Sequence, residues 1–341
     1  MKAFDTRTPT AREVFSRLGL SLVLLTVGTT VGRYAIGYLL LWLAPDAVHL
    51  WWANRVVSVV PLYGIGLPLM YLSLRGLSPA PHNATCSGGF ITYGKPAFTV
   101  GSWVRVLFMG FGCMYVGSII GNALMGILSG LTGYSYANTP ETVVEQSPVW
   151  ATLLGICVIA PLGEELIFRK LFIDRARRFG DTAAILLSAL LFGLFHANLF
   201  QFFYAFMLGI LLAYVYTRTG KLSWCVVMHA AVNLMGSVAI PALSDLILDD
   251  LTVALTLTQL LVALFISAWA YGTIIAAIVL LIKRFRWRVL SPAPDQRPTR
   301  SVLRDAFSST GMIAAVLLLT SSILLGLALP VILSHLQQIT L

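Results

Sequence analysis

The sequence predicts an all-α integral membrane protein, a polytopic helical bundle of about nine transmembrane helices with its N-terminus in the cytoplasm. Three observations carry that prediction. Of 341 residues, 58% are hydrophobic and only 11% are charged, against about a quarter charged in a soluble domain. The apolar residues form continuous runs of the roughly 20 residues that a bilayer-spanning helix needs, unlike the short alternating segments of a membrane barrel. The basic residues gather in alternate connections, as they do when Lys and Arg stay on the cytoplasmic side.

Apolar runs place spans at 18–43, 53–73, 104–131, 149–172, 183–199, 201–217, 222–242, 252–282 and 311–333. Lys2, Arg7, Arg12 and Arg17 precede the first run. That run extends from Leu18 to Leu43, too long for a signal-peptide core and without a small-residue cleavage site, so it reads as an uncleaved span. Segments 74–105, 169–178, 218–221 and 283–304 carry the other basic residues except Arg33 and Arg55. The opposite connections hold Asp46, Glu141, Glu145, Asp245, Asp249 and Asp250. An inside N-terminus and an outside C-terminus follow. Ser78–Gly101 reads as a cytoplasmic loop, 132–148 as an outer connection with room for a short interfacial helix, and Ser291–Arg300 as a linker. Arg33 lies within the first span with no evident partner.

The chain reads as a single membrane domain over 1–341, with a chemical core at 149–242 and flanking helices at 1–131 and 252–341. The net charge of +9 sits in short loops beside apolar runs, so the partner it implies is a lipid bilayer and not nucleic acid. Cys86, Cys113, Cys157 and Cys225 form no CxxC pair and read as thiols packed in the membrane. The cluster Phe200, Phe202, Phe203, Tyr204 and Phe206 reads as a lipid-facing or interfacial aromatic belt. The basic run Arg284–Arg288 reads as a topology anchor.

Polar chemistry is confined to the core. Glu164 and Glu165 fall on the fourth span, His196 on the fifth, and His229 and Asn233 on the seventh. Ionisable groups at membrane depth are costly and mark functional cavities. Glu165 and Arg169 are four residues apart, the spacing of a helical ion pair, whereas Glu164 is turned about 100° away. Phe192 and His196 share a face in the same way, as do His229 and Asn233. Pro161 and Gly163 loosen the helix just before the acids. A glutamate beside a histidine can take a proton from water, and a second histidine with an asparagine amide can donate to an oxyanion. The same Glu164, His196 and His229 could instead hold zinc, with water as the fourth ligand.

Glu164-Glu165-x-x-x-Arg169, Phe192-x-x-x-His196 and His229-x-x-x-Asn233, in that order on separate spans, resemble the three motifs of the CPBP family. This family comprises type II CAAX prenyl endopeptidases and the bacteriocin-processing or self-immunity proteins also called Abi. The resemblance covers roughly residues 149–242. It implies an intramembrane endopeptidase of the cell membrane, acting on a peptide or membrane-protein substrate. In it Glu164 and His196 would activate water, His229 and Asn233 would stabilise the oxyanion, and Glu165, Arg169 and Phe192 would support them. Members have been described as glutamate-dependent and as metal-dependent, so zinc stays open. No HExxH helix is present, and no aspartate pair lies within spans. The rival reading is a transporter or proton-coupled carrier that uses the same buried groups as a relay. A non-catalytic scaffold is a third.

Overall fold

A computed structural model of the protein describes residues 9–80, 98–138, 144, 147–248, 256–284 and 297–339. Cys86, the center of the predicted loop 78–101, Glu141, Glu145, Asp249, Asp250, most of the basic run after Arg284 and most of the linker 291–300 lie outside the described residues. So do residues 139–143, 145 and 146 of the stretch in which a short interfacial helix was expected. Every regular element among the described residues is helical.

Ten helices organise the described residues. They are α1 (Ala11–Leu43), α2 (Trp51–Ser73), α3 (Val100–Thr132), α4 (Val149–Phe179), α5 (Asp181–Phe195), α6 (Leu199–Thr219), α7 (Leu222–Asp245), α8 (Leu257–Arg284), α9 (Thr299–Phe307) and α10 (Thr310–Ile339). Eight of them are long and apolar enough to cross a bilayer. The fifth predicted span, 183–199, is α5, which has only 15 residues and is not one of the eight. At 1.5 Å per residue α5 is about 22 Å long, short of the roughly 30 Å hydrocarbon core. The amphipathic α9 fell in the segment read as a basic connection.

The chain divides into two compact units. The first takes residues 1–81, 171–187 and 292–318. In it α1 starts with a capping box, Thr10 N–H donating to Glu13 at 2.6 Å and Glu13 N–H to Thr10 Oγ1 at 3.3 Å. α2 and α9 pack on α1. The start of α10 crosses α1 so closely that a methyl on Gly19 would lie 2.2 Å from Gly311. Arg17 closes the end of α2 by donating to the carbonyls of Ser73 and Arg75 at 3.2 and 2.7 Å, the C-terminal arrangement that suits a cation.

The second unit takes 82–170, 188–291 and 319–341 and contains every candidate site residue. Its central helix is α3, against which α6, α7 and α8 pack. Glycines make the α3–α6 crossing possible: a Cβ at Gly117 would sit 2.3 Å from the Tyr204 Cα, and one at Gly121 2.8 Å from the Phe200 carbonyl. On its other side α6 meets α5, where a Cβ at Gly193 would press on Phe202 and Phe206. Parts of the aromatic cluster expected to face lipid therefore serve helix–helix contacts. α6 starts on Asn198 as N-cap and ends at Gly220, φ 67°, both favoured residue choices.

Candidate active site

α4 carries the two acids between two π-helical turns, Leu153–Ile159 and Leu166–Ile173. The first turn has a definite consequence. Ala160 N–H reaches back five residues to Gly155 O, and in that register residue 161 would be next to donate, to Ile156 O. Pro161 has no N–H. Asn233 on α7 supplies the missing donor, its Nδ2 lying 2.9 Å from Ile156 O. The helix is thus not broken before the acids. It is rewound, and the orphaned carbonyl is taken by a side chain of the site. The second hydrogen on Asn233 Nδ2 stays available.

Glu164 and Glu165 separate sharply in environment. Glu165 is fully buried and forms an ion pair with the equally buried Arg169, Nε to Oε2 at 2.9 Å, with Arg169 Nη2 also donating to Oε1 at 3.4 Å. Glu164 keeps 16% of its side chain exposed. Arg169 is held further by Ser188, to which Nη1 donates at 2.8 Å, and Ser188 donates in turn to Phe168 O at 3.0 Å.

His229 lies between the acids. Its Nδ1 is 3.0 Å from Glu165 Oε1 and its Nε2 is 3.8 Å from Glu164 Oε2. Because Glu165 is the ion-pair acceptor of Arg169, Nδ1 is the donor in the shorter contact. Nε2 then faces Glu164.

His196 follows the last residue of α5. Its Nδ1 is 2.8 Å from Phe192 O. A carbonyl only accepts, so Nδ1 carries the hydrogen and the neutral ring presents the lone pair of Nε2. Ala197, the next residue, adopts φ 55° and turns the chain at once into α6. His196 and His229 come together through Phe192: each ring stands edge-on to it, with centroids 5.0 and 5.7 Å away. Arg169 lies over the same ring at 5.0 Å, within cation–π reach. The early stop of α5 accounts for how His196, at the far end of its apolar run, shares a phenylalanine with His229, which lies partway along α7.

The seven predicted residues are thus brought to one place, with one distinction. Glu164, Glu165, Arg169 and His229 interlock directly, whereas His196 joins through Phe192 and has no hydrogen bond to either acid. Among the described residues no three His, Cys, Asp or Glu side chains are grouped to hold a metal ion. Ser188 was missed in the sequence, although Ser188, Phe192 and His196 recur every four residues and mark one face of α5.

Residues 146–235 match the family described as Type II CAAX prenyl endopeptidase Rce1-like. The chain is also similar to UPF0177 protein YbdI of Lactococcus lactis subsp. lactis (strain IL1403), 29% identical over 133 residues that cover 34% of this chain and 72% of that protein. No solved structure matches.

Proposed function

We propose that this chain, a member of the type II CAAX prenyl endopeptidase family through residues 146–235, hydrolyses a peptide bond of a membrane-associated or lipidated substrate with water activated by Glu164. The observation that carries the reading is the unequal use of the two acids. Glu165 is spent on Arg169 and His229, while Glu164 is the partly exposed carboxylate facing His229 Nε2 at 3.8 Å.

In this mechanism Glu164 takes a proton as the water oxygen bonds to the substrate carbonyl carbon, and the carbonyl electron pair moves onto oxygen. His196, with Nδ1 committed to Phe192 O, offers Nε2 as a second acceptor for that water. The developing oxyanion is met by Asn233 Nδ2–H and by Nε2–H of a doubly protonated His229. With His229 in that form, two carboxylates, Arg169 and the imidazolium sum to zero charge, which suits a buried cluster. Collapse breaks the C–N bond, and Glu164 returns its proton to the leaving amine. All of these steps use protein groups alone.

The test is cleavage of a fluorogenic lipidated peptide by the purified full chain, with Glu164→Gln and Glu165→Gln in parallel. Glu164→Gln is expected to lower kcat by about 100-fold or more, with thermal stability kept. Glu165→Gln is expected to lower the melting temperature. Full activity in Glu164→Gln would remove the assigned base. Solute or proton flux in proteoliposomes without any peptide cleavage would replace the protease by the carrier.

A further inference from the structure

Three of the basic segments read as cytoplasmic, 1–17, 74–105 and 169–178, meet at one turn of the first unit. α2 ends at Ser73, and Gly76 at φ 77° lets the chain leave the helix. Arg17, near the start of α1, donates to the carbonyls of Ser73 and Arg75. Arg175, near the end of α4, donates from Nε to Leu77 O at 2.9 Å and from Nη1 to Leu171 O at 3.0 Å. Arg178 donates to Ser78 O. These acceptors are neutral carbonyls, so they fix the guanidinium groups without cancelling their charge. Asp174 adds one carboxylate next to Arg175 in sequence, and Asp181 is paired with Arg177 at 3.1 Å.

A cavity of about 260 Å³ opens on this turn, with Arg75, Gly76, Ser78, Pro79 and Arg175 in its wall. Arg175 is only 9% exposed, and its Nη2 has no hydrogen-bond partner among the described residues. A guanidinium carries five N–H groups, and leaving buried donors unmet is costly. Arg75 is exposed, and its side chain also has no partner among the described residues. A cation that only anchors topology needs charge and water. It needs neither burial nor a cavity.

We infer that this cavity is a binding site for an anionic phosphate group, with Arg175 and Arg75 as the donors that meet it. The guanidinium fork matches two phosphate oxygens at once. A volume of about 260 Å³ falls just below the roughly 300–1,000 Å³ of pockets for drug-sized ligands, so it admits a headgroup and excludes a peptide. The turn stands at the ends of membrane-spanning helices, level with the headgroups, where acidic lipids present their phosphates. Acidic lipid and free phosphate share this chemistry. Arg17 and Arg178 are outside the cavity wall; they hold the turn and add positive potential. The site stands apart from the proteolytic reading, and its test needs no cleavage.

The experiment follows the melting temperature of the purified full chain in neutral detergent. The probes are dihexanoyl phosphatidylglycerol, dihexanoyl phosphatidylcholine, whose phosphate carries its own ammonium, and inorganic phosphate. Wild type is expected to gain stability saturably with phosphatidylglycerol and not with phosphatidylcholine. Arg75→Gln is expected to melt as wild type without ligand and to need about tenfold more phosphatidylglycerol, the effect of losing one charge-assisted hydrogen bond. Arg175→Lys is expected to lose at least as much; should it fail to fold, Arg75→Gln decides alone. Arg105→Gln, which removes a basic residue of the same flank from the second unit, is expected to bind as wild type. Saturation by inorganic phosphate at the concentration that serves phosphatidylglycerol would make soluble phosphate the ligand of this site. A response at that concentration to phosphatidylglycerol alone would make it the lipid headgroup. Three results would each overturn the inference and leave the arginines as topology anchors: no saturable response in wild type, an equal response to phosphatidylcholine, or an equal loss in Arg105→Gln and Arg75→Gln.

Discussion

An arginine and a glutamate removed entirely from water, as Arg169 and Glu165 are, repay their desolvation only if the remaining donors find partners. Ser188 is such a partner, joining Arg169 to the Phe168 carbonyl. Ser188→Ala is expected to cost about 1–3 kcal/mol, the penalty for leaving a buried donor unmet, read as a lower melting temperature in detergent. Activity at a permissive temperature should largely survive, because no reacting atom touches Ser188. The i, i+4 spacing of Glu165 and Arg169 made their pairing legible in the sequence. Ser188 was not, because its partner lies on another helix and local spacing says nothing about that distance. The same holds for the hydrogen bond from His229 to Glu165, which joins residues 64 apart in sequence.

At the scale of the helix, the π-helical turn before the acids has no residue signature, yet one residue gives it an effect. Pro161 removes the N–H that would have satisfied Ile156 O, and Asn233 takes its place. Pro161→Ala restores that N–H and sets it in competition with Asn233. The expected outcome is a fall in kcat of roughly tenfold with an unchanged or raised melting temperature, since a proline within a helix is itself destabilising. A variant that keeps full activity would show that the Asn233–Ile156 bond has no bearing on the site. The early stop of α5 was half legible: the apolar run ends at Phe195, before His196 and Asn198, but the turn rests on Ala197 at φ 55°, a residue type that does not announce a left-handed conformation. Glycines on α3 separate into two kinds. Gly117→Ala is expected to disturb the α3–α6 crossing, where the added carbon would lie 2.3 Å from Tyr204, whereas Gly126→Ala meets nothing within 4 Å and should express and melt as wild type.

For the whole molecule, hydropathy made the spans legible because lipid imposes one simple rule: each crossing segment must be apolar and satisfy its own backbone. The outer helices obey it plainly, since only 11% of the most apolar stretch of α8 and of α10 is buried within the protein, leaving the rest for lipid. Direction across the membrane is a separate matter, and it rests on charge. Segments 1–17, 74–105, 169–178, 218–221 and 283–304 hold all the basic residues but two, and a net positive flank is retained on the cytoplasmic side. The α5–α6 hairpin has to return across the bilayer for these segments to share a side, so the short α5 is the point at which the charge argument can fail. In a cysteine-free background, a cysteine at Ser147 is expected to react with a membrane-impermeant maleimide in intact cells. One at Arg300 should react only after the membrane is opened. The α5–α6 turn is then located by a cysteine at Ala197, which is exposed. Labelling at Ala197 in intact cells would place the turn on the side of Ser147 and keep all basic segments together. Labelling only from the side of Arg300 would make α5 and α6 a re-entrant hairpin that does not cross, while the Ser147 and Arg300 results keep the orientation of the helices on either side.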